Sequence, residues 1–285
     1  MIAEEITLDV GGVTLAAKRW RNGVTPVIAL HGWLDNAASF DRLAPLLENA
    51  DVVALDLAGH GHSYHRTLQS AYNIWEDLPD ILRAADQLGW PQFHLIGHSR
   101  GAIIAAILTA TLPERVISTA FIDGFRPDPV PVGETFAQLA KFLREHVTAP
   151  GTGEEKPRSR YDSFARALHV RARVSGMRED SAALIVERGL KQEGDEWFWR
   201  ADPRLHLASA IKLNPEQVQL METLLSQRPC KLWVAEGGLA RWLRKQGALE
   251  QIPFPWRVLE GSHHFHMEEQ AEILARDIHE FWRAL

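Results

Sequence analysis

Phe93-His94-Leu95-Ile96-Gly97-His98-Ser99-Arg100-Gly101-Ala102-Ile103-Ile104 is the stretch that decides the architecture. Residues 93–96 form a short apolar run, the mark of a buried strand, and residues 101–112 are almost all apolar, as in a buried helix. Between them stands G-x-S-x-G, Gly97-His98-Ser99-Arg100-Gly101. A sharp strand-to-helix turn forces a strained backbone at the serine, and small residues two before and two after let neighbouring chain pass close. The turn lifts Ser99 Oγ off the sheet edge and aims the N–H groups of the next helix at negative charge forming there. The plain alternative is a capping serine in a glycine turn.

Strand and helix signals alternate outward from this point. Residues 6–8 and 13–17 flank Gly11-Gly12 as a hairpin, and 26–30 and 52–55 are buried-strand runs. A helix is predicted through Phe40, Leu43, Leu46 and Leu47, and another from Tyr72 to Leu88, closed by Gly89. Residues 116–122 form the sixth strand. Such alternation means parallel strands joined by right-handed crossovers. The rhythm stops after Asp123 and resumes at Asn214-Pro215, a cap followed by proline at the first helical position. Two strands, 231–235 and 256–259, and an amphipathic helix over 267–282 close the chain. No strand is expected between 125 and 214. The expected organisation is an α/β core of residues 1–124 and 215–285, with a helical lid at 125–214.

Composition excludes several classes. The 285 residues are 46% hydrophobic and 24% charged, so disorder is excluded; length alone suggests about two domains. A net charge of −6 argues against a broadly basic nucleic-acid binder. One cysteine, Cys230, rules out a disulfide framework and a CxxC zinc site. Residues 1–5 carry no basic or apolar leader pattern, and no apolar run approaches the ~20 residues of a membrane span. A soluble, cytoplasmic protein is expected, acting on a small molecule without a cofactor or nucleic-acid partner. The oligomeric state is open.

A serine hydroxyl needs a base, usually histidine. The candidate follows the last strand, in Gly261-Ser262-His263-His264-Phe265-His266-Met267-Glu268. His263 stands nearest the strand end and is preferred, His264 is second, and His266 is expected to face the closing helix. A metal site at the three histidines is set aside for want of an acidic or cysteine partner nearby. The oxyanion donors are the Arg100 N–H and that of Trp33, in the loop after strand 26–30. Trp33, His98 and Phe125 are expected to line the substrate pocket. His31 packs beneath its loop, and Asp56 supports the turn 56–63 by accepting from backbone amides.

His31-Gly32-Trp33, residues 56–63, Gly97–Gly101 and 261–268 stand in the order and spacing of the α/β-hydrolase superfamily, which the chain resembles almost everywhere outside the lid. Within it, the chain is similar to the serine hydrolase-like proteins, whose lid also tends to end in a segment like Trp199-Arg200-Ala201-Asp202-Pro203-Arg204-Leu205. The resemblance implies an α/β-hydrolase fold, a mostly parallel sheet flanked by helices, with the lid after the sixth strand. It implies a serine hydrolase working by acyl transfer, foremost on a small or medium apolar carboxylic ester. Amide, thioester or carbon–carbon hydrolysis on the same triad stays open, as does a non-catalytic binding homologue.

The acid departs from the common pattern. Most members carry Gly-x-x-Asp after the penultimate strand, and here that position falls on Gly238. Asp123, in Ile122-Asp123-Gly124-Phe125, resembles the acid-bearing segment of haloalkane dehalogenases, which use an aspartate nucleophile where this chain has Ser99. Glu236 ends the penultimate strand. Asp123 is preferred, with Glu236 as the alternative. The lid also carries Lys156, Arg158, Arg160, Arg166, Arg171, Arg173 and Arg178 against Asp162 alone, read as a solvated face or a seat for an anion.

Overall fold

Runs of Val, Ile, Leu and Ala that cannot face water on either side set the centre of the sheet. Val27–Leu30 and the facing residues 52–55 are fully buried, and their side chains alternate between two apolar layers. The computed structural model describes residues 2–148 and 160–285. In chain order the core begins with β1 (Glu4–Asp9), β2 (Thr14–Arg21), β3 (Gly23–Leu30), β4 (Asn49–Leu55), α1 (Asp77–Gln87), β5 (Phe93–His98), α2 (Arg100–Thr111) and β6 (Val116–Ile122). The segment that follows carries α3 (Thr135–Val147), β7 (Arg160–Tyr161), α4 (Phe164–Ser175), α5 (Glu179–Gly189), β8 (Leu190–Glu193) and β9 (Glu196–Trp199). The core then resumes with α6 (Pro215–Leu225), β10 (Cys230–Ala235), α7 (Leu239–Lys245), β11 (Trp256–Leu259) and α8 (Ala271–Arg283).

The eight strands of the main sheet lie in the order β1-β2-β4-β3-β5-β6-β10-β11. The β1–β2 and β2–β4 pairs are antiparallel and every other pair is parallel. This is an α/β-hydrolase fold. Ile28, Leu30, Val53, Leu55, Leu95 and Leu232 share one apolar layer with residues of α1, α2 and α6, while Val27, Ala29, Val52, Ile96 and Trp233 pack with α8 on the opposite layer. After β4 the chain crosses β3 to add β5, so strand order reverses between β3 and β5. Ligands of open α/β sheets bind beyond the strand ends at such a switch point. The loops carrying Trp33 and Ser99 both start there.

Two expectations need correction. The helix predicted through Phe40 and Leu47 is a pair of 3-10 turns, Ala37–Phe40 and Ala44–Leu46. Pro45 lacks an N–H and disfavours α geometry at Ala44, which breaks the run in two. The segment after β6 is not purely helical either, since β7, β9 and β8 form a three-stranded antiparallel sheet. Its hairpin turns at Gly194-Asp195, with Gly194 at φ 61°. Glycine in a two-residue turn was the missed signal; Leu190-Lys191-Gln192-Glu193 hid it by lacking β-branched residues.

Buried charge ties this segment to the core. Arg188 of α5 donates from Nε to both Asp56 oxygens, at 3.0 and 2.9 Å, and from Nη1 to Glu5. Asp56 also accepts from the Ala37 and His62 amides at 2.7 and 2.8 Å. The Asn36 amide donates to Ile185 O, and Ser181 Oγ to Met267 O. Removing one partner of a buried pair leaves the other charge uncompensated, at a cost of about 3–5 kcal/mol. Arg188→Ala should lower the urea-unfolding free energy by about that amount; a loss no larger than that of an exposed arginine would show that the pair does not anchor α5.

Candidate active site

Ser99 follows β5 with φ 52° and ψ −115°, a conformation that side chains rarely adopt and that costs about 1–3 kcal/mol. The surroundings hold it there. Its N–H donates to Ile122 O at 2.9 Å, and its carbonyl accepts from the Ala102 and Ile103 amides. A Cβ on Gly101 would lie 2.1 Å from Leu30 O, so α2 can approach β3 only through glycine. The Arg100 N–H opens α2, where intrahelical acceptors are lacking. The Arg100 guanidinium turns toward α1 and pairs with Asp77 at 2.8 Å.

The loop after β3 brings Trp33 to the same edge. The residue is 46% exposed, and its indole donates from Nε1 to Leu205 O at 3.1 Å and meets the His206 ring edge-on. His31 lies beneath, donating from Nδ1 to Gly32 O and accepting from the Leu57 amide at Nε2. Burial lowers its pKa, which suits a neutral supporting ring.

Asp123 follows β6 at φ 45°, with a fully buried carboxylate. That carboxylate accepts from the Ala235 and Leu239 amides at 2.8 and 3.2 Å and from His263 Nδ1 at 2.5 Å. An ionised carboxylate only accepts, so Nδ1 carries the proton and His263 Nε2 is left as the base. The ring is 40% exposed. Glu236 is not brought to it; its carboxylate pairs with Arg244 on the surface. Gly238, at the usual acid position, explains how Asp123 fits. A Cβ there would stand 2.4 Å from Asp123 Oδ2, so the missing side chain makes room for the migrated carboxylate.

Three expected placements are corrected. His98 does not line a pocket. Its side chain has no exposed surface, its Nε2 donates to His263 O at 3.0 Å, and burial lowers its pKa to about 4. Phe125 is 2% exposed and packs with Phe121 and Phe254 inside the core. His266 turns inward on the Phe265–Met267 3-10 turn, and its ring lies 4.2 Å from that of His98 and 5.8 Å from Phe40.

One residue was missed altogether. Asp35, two positions after Trp33, buries its carboxylate between His98, His264 and Arg171. Burial pushes its pKa up, but His264, His98 and Arg171 outweigh that and hold it well below the ordinary range. An acid directly after the apolar β3 and its turn was the available signal. Among the described residues the basic stretch does not form one surface. Arg171 is spent on Asp35, Arg160 on Glu196 and Arg178 on Asp180 and Glu269, while Arg166 and Arg173 are exposed. Lys156 and Arg158 lie outside the described residues.

Comparison with known proteins agrees with this architecture. A family model for the alpha/beta hydrolase fold matches residues 25–164. A hypothetical protein of Pseudomonas aeruginosa PAO1 has a similar crystal structure, with TM-score 0.91 and 37% identity over 98% of this chain and 99% of that one. The chain belongs to the α/β-hydrolase family. Its relatives place it among the serine hydrolase-like proteins. That of Danio rerio is 27% identical over 87% of this chain and 78% of its own. Serine hydrolase-like protein 2 of Homo sapiens is 39% identical over 72% of this chain and 66% of its own. These relationships support a hydrolase. Among the described residues, no helix is long and apolar enough to cross a membrane.

The short Asp123–His263 contact has a spectroscopic consequence. The Nδ1 proton should give a far-downfield proton resonance that disappears in Asp123→Asn and persists in Glu236→Gln. Loss of the signal in Glu236→Gln instead would assign the histidine's partner to Glu236.

Proposed function

We propose that the protein is a serine hydrolase that acts by acyl transfer through Ser99, His263 and Asp123, on small or medium apolar carboxylic esters. The observation that carries this reading is the His263 Nδ1–Asp123 hydrogen bond of 2.5 Å. It fixes the tautomer in which Nε2 accepts a proton, on a histidine whose sheet edge also presents the strained Ser99 turn.

The steps follow from these positions. His263 Nε2 takes the Ser99 proton as Oγ attacks the ester carbonyl. The N–H groups of Arg100 and Trp33 donate to the oxyanion, where such donors are each worth about 2.7–4 kcal/mol in a preorganised site. Collapse breaks the bond to the alcohol oxygen, which leaves with the proton from His263. Water, deprotonated by the same Nε2, then releases the acid and restores Ser99. Asp123 stays ionised and stabilises the imidazolium formed in both halves. The segment after β6 serves as a lid: the Trp33 indole, tied to Leu205 O and facing His206, stands where a substrate's acyl or alcohol chain would pass.

Turnover of a p-nitrophenyl ester series tests the assignment. Ser99→Ala should abolish it and Asp123→Asn should cost about 10⁴-fold, the loss that follows when the histidine takes the wrong tautomer. Glu236→Gln should change it by less than about fivefold, the scale of a surface ion pair. His263→Ala should be inactive. The opposite ordering of the two acid variants, both folded, would transfer the role to Glu236.

Chain-length preference tests the lid. Trp33→Ala keeps the backbone donor, so it should leave the acetate ester's kcat nearly unchanged while shifting KM across longer acyl chains. A uniform drop in kcat for every ester would place the indole in the chemical step.

A further inference from the structure

Behind His263 lies a cluster that the proposed mechanism does not use. Asp35 Oδ2, His98 Nδ1 and His264 Nε2 all lie within 4.8 Å of one another, and all three residues are buried. Oδ2 stands 3.4 Å from His264 Nε2 and 3.5 Å from His98 Nδ1. Neither Asp35 Oδ2 nor His98 Nδ1 has a hydrogen-bond partner.

The proton count at His98 sharpens the problem. Its Nε2 faces the carbonyl of His263, which can only accept, so Nε2 bears the proton. In a neutral ring Nδ1 is then a bare lone pair, facing a carboxylate oxygen that is also bare. Each buried polar atom left without a partner costs about 1–3 kcal/mol. A cation shared by the two removes both penalties.

The geometry points to a binding site for one divalent transition-metal ion of the zinc class, held by Asp35 Oδ2, His98 Nδ1 and His264 Nε2. Two imidazoles and one carboxylate are a donor set for zinc or its neighbours, whereas magnesium and calcium seek oxygen. With metal–ligand bonds of about 2.0–2.1 Å, the edge between neighbouring ligands of a tetrahedral ion is about 3.4 Å. The two carboxylate-to-imidazole separations match it, and the third pair, the two imidazole nitrogens, lies within 4.8 Å and would draw together on the ion. Two of the three ligands also have the outer contacts of a metal site, whereas His264 Nδ1 has no partner. His98 gives its other N–H to a carbonyl, and the second oxygen of Asp35 accepts from Arg171. Asp35 supplies the one negative charge among the ligands, and its other oxygen is paired with the Arg171 guanidinium.

The ligands come from the loop after β3, the end of β5 and the loop after β11. An ion there braces the three segments that carry Trp33, Ser99 and His263. It sits behind His263 among three buried ligands, with water completing the fourth position, so its role is to brace the loops rather than to act as a Lewis acid toward substrate.

The test uses the whole chain, made without a polyhistidine tag in zinc-supplemented medium and, separately, in cobalt-supplemented minimal medium. After desalting, mass spectrometry of the metal should find about one zinc per chain, the stoichiometry of a single site. The cobalt form should show the visible ligand-field bands of a four-coordinate ion. Asp35→Asn and His264→Gln, checked for folding by circular dichroism, should lose both signals at least tenfold. Wild-type chain that holds neither ion overturns the proposal, whatever the variants do. Retention unchanged in both folded variants also overturns it, because the ion would then sit elsewhere.

Discussion

The hydrogen bond between Asp123 and His263 is the constraint around which the rest of the site is arranged. It requires a charged carboxylate with no exposed surface, and the fold meets that cost with the amides of Ala235 and Leu239 besides the imidazole. It also requires room. Asp123 reaches the histidine from β6, across the end of β10, because position 238 carries no side chain. Its left-handed backbone at φ 45° is the local expense of that route. A second left-handed residue, Ser99, stands on the neighbouring strand end, and the donation from its N–H to Ile122 O joins the two turns.

Electrostatics extends this arrangement into the segment after β6. Arg171 and Arg188 leave the surface of α4 and α5 to pair with Asp35 and Asp56, acids on the loops after β3 and β4. The Arg188 pair is buried and the Arg171 pair largely so, which leaves them less screened by salt than the exposed pairs of Arg160 and Arg178. The segment is therefore fastened at the same sheet edge that presents Ser99. Its contact at the mouth, from the Trp33 indole to Leu205 O, is a half-exposed hydrogen bond.

Much of this was legible in the residues alone. The inner strands β3, β4, β5 and β6 carry continuous apolar runs, so composition and length identify them, and the G-x-S-x-G turn marks Ser99 because strand, glycine spacing and helix coincide there. The choice between Asp123 and Glu236 was not decidable in that way. Both follow a strand that ends at the same edge, and what separates them is the backbone turn at Asp123 and the space over Gly238. His98 and Phe125 were misplaced because adjacency to Ser99 and Asp123 says nothing of which way a side chain points. His98 turns beneath the histidine loop, and Phe125 turns into the aromatic cluster with Phe254. Asp35 stayed hidden because its partners, His98, Arg171 and His264, are remote in sequence and meet only when β3, β5 and β11 are aligned.

Reaction of the folded protein with a fluorophosphonate, followed by peptide mapping of the adduct, bears most directly on the central claim. A phosphonyl group on Ser99 alone, formed far more slowly in Asp123→Asn, is the result that a Ser99 nucleophile activated through His263 and Asp123 requires. An adduct on another residue, or labelling of Ser99 at an unchanged rate in that variant, would contradict it.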